Sequence, residues 1–175
     1  MDLSSLLWHS FVWAPRGLFT TVTGSYVMIE SVSDESQPVM EVDVNFVQPH
    51  RGAFIYTVFK NGMKDFSRIT ITLKAGTPRS DVVFSPILRE KDWADYEPKD
   101  WWLSTSPYGN VANSTRYLTY VFPRSAFVPA GYSSDENGRL DPQDVLWFFI
   151  KFDTVPPGRP LEQVLKFFIR EVKVE

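Results

Sequence analysis

In the segment VMEVDVNFV, Met40, Val42, Val44 and Phe46 fall on one side of an extended chain and Glu41, Asp43 and Asn45 on the other. ITITLK repeats the arrangement, with Ile69, Ile71 and Leu73 opposing Thr70 and Thr72. Period-two alternation with one polar phase marks antiparallel strands that bury a single face. Runs of similar length, rich in β-branched and aromatic residues, recur as LLWHSFVW, GSYVMIESV, AFIYTVF, DVVFSPIL, RYLTYVF, VLWFFIKF and LKFFIREVKV. Turn chemistry separates them: Asn61-Gly62, Ala75-Gly76-Thr77-Pro78 and Asn137-Gly138. About nine such strands bury their apolar faces only against one another, which predicts an all-β, antiparallel two-sheet sandwich. Helix is expected only as a turn or two, around Pro123 to Phe127 or Pro160 to Leu165.

Two stretches break the rhythm, from about Arg89 to Ser114 and from about Pro123 to Gln143, and both read as long connections. The first contains DWADYEPKDWW, Asp92 to Trp102, which crowds aromatic rings among carboxylates without a burial period.

Length and composition fit this picture. A chain of 175 residues fills one core, so residues 1–175 are read as a single domain. Aromatic content is 15%, and 13 prolines against 9 glycines fit a loop-rich all-β chain. A formal charge of −3 with no basic stripe makes nucleic acid and anionic membrane poor partners. No apolar run reaches the roughly 18 residues of a spanning helix. The first residues, MDLSSLLWHSFVW, lack the basic start and small-residue cleavage site of a signal peptide. With no cysteine, disulfides, thiolate nucleophiles and zinc-cysteine centres are excluded.

The succession DFSRITITLKAG, RYLTYVFPRSAFVPAG, NGRLDPQDVLWFFIKF and LKFFIREVKVE resembles the jelly-roll carbohydrate-binding modules and related galactose-binding-like domains. The resemblance extends loosely to SVSDESQPVMEVDV and implies a β jelly roll that binds polysaccharide. It implies further a tethered catalytic domain and an extracellular location within a secreted multidomain enzyme. Such modules commonly hold a structural calcium ion between the N-terminal strand region and an Asp pair of the closing strand. Here that pair reads Arg170-Glu171, leaving Glu30, Asp34 and Glu171 as the oxygen donors the resemblance implies for the ion.

A sugar ring presents apolar C–H faces and a rim of hydroxyls, and proteins meet it with aromatic planes flanked by polar groups. Trp93, Tyr96, Trp101, Trp102 and Tyr108, interleaved with Asp92, Asp95, Glu97, Asp100 and Asn110, supply that mixture. Packing of the same rings inward as a plug is the competing expectation. A second surface comes from VLWFFIKFD: Leu146, Phe148, Ile150 and Phe152 read as core, which turns Trp147, Phe149, Lys151 and Asp153 outward. Tyr117, Thr119 and Arg89 are expected to join this cleft floor, unless a long loop covers it.

Catalytic readings find less support. No G-x-S-x-G elbow, HExxH helix or glycine-rich phosphate loop occurs. The loop acids are clustered, not set as a pair across a cleft. The sequence therefore predicts non-catalytic polysaccharide binding. A protein-interaction domain of the same fold is the alternative, with a small jelly-roll lyase or hydrolase third.

Overall fold

The computed structural model describes residues 2–3, 6–12, 25–47, 49, 51–90, 101–104, 110–131, 133 and 137–175. Two antiparallel sheets share one core. The seven-stranded sheet runs β1 (His9–Val12), β4 (Ala53–Val58), β11 (Val145–Thr154), β6 (Val82–Glu90), β7 (Trp101–Ser104) and β10 (Phe127–Pro129), with β8 (Asn110–Val111) pairing with β6. The five-stranded sheet runs β2 (Tyr26–Asp34), β3 (Gln37–Asn45), β12 (Leu165–Val174), β5 (Arg68–Ala75) and β9 (Leu118–Pro123).

The alternating positions become the inter-sheet core. Phe46, Ile55, Ile71, Leu73, Phe84, Leu88, Phe148, Ile150, Phe152 and Phe167 are all fully buried there. Phe152 of one sheet stacks on Phe167 of the other at 4.6 Å, and Phe84 meets Tyr120 edge-on at 4.8 Å. Polar atoms also tie the sheets together: the Ser10 hydroxyl donates across them to the Val27 carbonyl at 2.9 Å. Gly62, at φ +74°, closes the Lys60-Asn61-Gly62 turn against the Gln143 backbone, where a Cβ would lie 1.8 Å from the carbonyl oxygen.

Every expected strand forms, and three more appear inside the two stretches read as connections. β7 and β8 lie in the first, and β10 in the second. A 3₁₀ turn at Arg124–Ala126 matches the expected helical turn after Pro123, another at Pro142–Asp144 was not foreseen, and Pro160 to Leu165 carries no helix. Trp101 and Trp102 are therefore strand residues whose side chains point to opposite faces. Trp102 turns inward and is 4% exposed, so it is part of the core instead of the open sugar platform expected of it. Its indole N–H donates to Glu90 Oε2 at 2.5 Å, and Glu90 Oε1 accepts the Asp141 amide. Glu90, itself buried, thus satisfies two donors where β6, β7 and the turn before β11 meet.

Replacing Glu90 by Ala leaves both donors without this acceptor, one of them buried, and loss of roughly 2–4 kcal/mol in urea unfolding is expected. Glu90→Gln, which keeps one acceptor oxygen, is expected to lose less.

Candidate functional site

The outer face of the seven-stranded sheet is built by the other phase of the same strands. β11 is paired on both edges, Phe149 facing Tyr56 of β4 and Ile87 of β6, and Trp147 facing Val58 and Arg89. β1 continues the rows, with His9 opposite Tyr56 and Phe11 opposite Phe54. On the far side Arg89 pairs with Trp101 and Ile87 with Leu103. One register therefore gathers His9, Phe11, Phe54, Tyr56, Trp101, Trp147 and Phe149 on a single surface.

The rings of His9, Phe11, Phe54, Tyr56, Phe149 and Trp101 touch in a continuous chain, and Trp147 packs against it. His9 stacks on Tyr56 at 5.1 Å, Phe11 on Phe54 at 4.9 Å and Trp101 on Phe149 at 5.1 Å. Tyr56 and Phe149 lie 5.5 Å apart. Phe54, Phe149, Ile87, Trp101 and Ala130 form the buried floor, while Phe11, Tyr56, Leu103 and Trp147 are only partly covered. The Arg89 guanidinium lies 4.7 Å from the Trp147 ring centre and 5.4 Å from that of Trp101. Held over two indoles, it is positioned with its planar array of N–H donors on an apolar shelf. Lys151 adds a cation 6.0 Å over Phe54 and forms an ion pair with Asp153 at 2.7 Å.

Two solved structures place this architecture. The Family 11 carbohydrate-binding module of the cellulosomal cellulase Lic26A-Cel5E of Clostridium thermocellum superposes with a TM-score of 0.67 at 16% identity, over 97% of this chain and 87% of that one. The Family 11 module from Clostridium thermocellum in complex with a β-1,3-1,4-mixed-linked tetrasaccharide gives 0.65 at 16% identity, over 95% and 87%. The chain has the β-sandwich fold of the carbohydrate-binding modules. A putative sugar-binding protein from Bacteroides thetaiotaomicron shares it at a TM-score of 0.53 and 13% identity, over 95% of this chain and 87% of that one. No family model and no curated protein matches the sequence.

Within this carbohydrate-binding-module fold the residues singled out from the sequence separate into groups. Trp147, Lys151, Arg89 and Trp101 come together on the outer face, although Trp101 is 5% exposed and belongs mainly to its floor. Asp153 shares the face but is no open carboxylate: buried, it accepts the Thr154 and Gly158 amides at 2.7 and 3.0 Å besides pairing with Lys151. Tyr117 was expected beside Trp147, but it immediately precedes β9 in the opposite sheet, and Thr119 faces Thr72 of β5 there. Its hydroxyl donates to Asp34 at 2.6 Å; burial, and then that bond, push the phenol's pKa up, so it stays a donor. Trp93, Tyr96 and Tyr108 lie outside the described residues.

Tyr56, His9, Phe11 and Phe54 were missed as site residues. AFIYTVF carries apolar residues in both phases, as VLWFFIKF does, and that double pattern was the available signal for a second covered or ligand-facing side.

The three calcium donors implied by resemblance do not meet at one site: Glu30 and Glu171 line one groove, and Asp34 is not among its residues. Glu30 is exposed on β2, Asp34 pairs with Lys74 at 2.7 Å, and Glu171 pairs with Lys173 at 2.5 Å. No group of three acidic or histidine side chains able to hold a metal ion occurs among the described residues.

Because Trp147 is partly exposed and Trp102 is not, Trp147→Phe is expected to lower the fraction of tryptophan fluorescence that acrylamide quenches. Trp102→Phe, if folded, is expected to leave that fraction unchanged or raise it.

Proposed function

We propose that this protein is a non-catalytic polysaccharide-binding module that takes a glycan chain on the outer face of its seven-stranded sheet. The observation that carries the reading is the aromatic shelf from His9 through Tyr56 and Phe149 to Trp101, with Trp147 packed against it and Arg89 set over two indoles. The Clostridium thermocellum module of like fold was solved with a mixed-linked glucan tetrasaccharide, which supports a β-glucan as the first ligand to try.

In this reading the C–H faces of the sugar rings lie on the partly exposed rings of Trp147, Tyr56 and Phe11. Arg89 and Lys151 donate hydrogen bonds to the hydroxyl rim, and the pair with Asp153 fixes Lys151 in position. A shelf open to water recovers only part of its interaction energy after desolvation, so the dissociation constant is expected on the order of micromolar to millimolar. A module of that affinity serves a tethered catalytic domain by raising its local concentration at the polymer. Such tethering, in a secreted enzyme, is the biological setting proposed here.

Affinity electrophoresis in gels containing mixed-linked β-glucan, xylan or mannan tests the reading. Retardation by at least one polymer is expected, with Trp147→Ala, Tyr56→Ala and Arg89→Ala each weakening it about 10-fold or more. Thr119→Ala, on the opposite sheet, is expected to migrate like the unaltered protein. Retardation by none of the polymers contradicts the proposal and favours a protein partner. Release of reducing ends from any of them contradicts the non-catalytic assignment.

A further inference from the structure

The outer face of the five-stranded sheet is organised by charge. β12 shifts register against β5 between Ile169 and Glu171, which makes Arg170 the extra residue of a bulge. Its guanidinium carbon lies 3.6 Å from the centre of the Tyr117 ring, and Nη2 donates to Glu35 at 2.5 Å. Lys74 lies 2.7 Å from Asp34 and 4.9 Å from the Tyr117 ring centre. Tyr117 completes the cluster with its 2.6 Å bond to Asp34. Side chains from β2, β5, β12 and the residue before β9 thus meet over the β2–β3 hairpin.

That hairpin turns through Glu35 and Ser36, at φ 50° and 62°. Two-residue turns with both central residues at positive φ favour Asn-Gly, and Glu-Ser adopts them at a cost, so side-chain anchorage of the tip matters. Glu35 supplies it through Arg170.

Calcium takes about six to eight oxygen ligands. Here Asp34 is already shared by Lys74 and Tyr117, and Lys173 holds Glu171. A groove of about 710 Å³ is lined by Asp2, Glu30 and Glu171, but Arg170 lines it as well and opposes entry of a second cation. The donor set does not fit the ion.

We propose that this chain is metal-independent at this site, where Arg170 and Lys74 supply the positive charge that ties the β2–β3 hairpin to β5, β12 and the residue before β9. Tyr117 is the surface on which both cations rest. The carboxyl of Asp34 is held below its usual range, first by the Lys74 bond and then by that of Tyr117. A lowered folded-state pKa means that this stabilisation is present at neutral pH, above the unfolded-state pKa. It is lost as acidification carries the solution through the lowered value.

Thermal unfolding in excess EDTA and in millimolar calcium chloride tests the proposal, with terbium luminescence as a direct probe of binding. The midpoint is expected to be the same in both solutions, with no sensitised terbium emission. Arg170→Met is expected to lower the midpoint by about 3 °C or more in both solutions, and Arg170→Lys by less. A midpoint that rises with calcium and falls with EDTA, or terbium emission abolished by Glu171→Gln, overturns metal independence. An Arg170→Met protein as stable as the unaltered chain overturns the cationic staple. If Arg170→Met does not fold, Tyr117→Leu, which removes the ring and its hydroxyl, carries the same expectation.

Discussion

The structure depends on β11 being bonded along both edges at the centre of the larger sheet. Its side-chain period of two sends Phe148, Ile150 and Phe152 into the sandwich and Trp147, Phe149 and Lys151 out of it. A slip of one residue exchanges the two sets and puts a lysine in the core, so the register is strongly specified. The same register aligns Tyr56, Phe149 and Ile87 in one row and Trp147 with Arg89 in the next. Core packing and surface chemistry therefore follow from one pairing pattern.

A strand apolar on both sides must cover both or leave one for a partner. Among the described residues one side is covered and the other only in part. Phe54, Phe149 and Trp101 sink into a floor, while Phe11, Tyr56 and Trp147 stay partly open. The opposite sheet solves its outer face differently, with threonines, ion pairs and cations over Tyr117. The two outer faces are thus chemically distinct, one aromatic and the other charged and largely paired within itself.

Strand positions were legible because alternation is a local property. The central strands β3, β5 and β11 show it without help from their neighbours. β7, β8 and β10 were not legible, because strands of two to four residues are set by pairing with β6 and with one another. Trp102 was misread for a related reason. Acid-rich flanks suggested exposure, and only the fold brings Glu90 to the indole N–H. Tyr117 was expected on the wrong sheet, since alternation distinguishes sides and carries no information about which neighbour a strand acquires. Trp147 and Lys151 were legible as residues of one outer face because β11 announces its second side, and Arg89 of β6 lies beside Trp147 there. Tyr56 and Phe54 show the same signal more weakly, since Thr57 interrupts the inner phase.

Backbone amide NMR during titration with a mixed-linked β-glucan oligosaccharide tests most directly whether the aromatic face is the binding surface. Shifts are predicted to concentrate on β1, β4, β6 and β11, around His9, Tyr56, Arg89, Trp147 and Lys151, while Lys74, Thr72 and Thr119 hold still. Saturable shifts confined to the five-stranded sheet would contradict it.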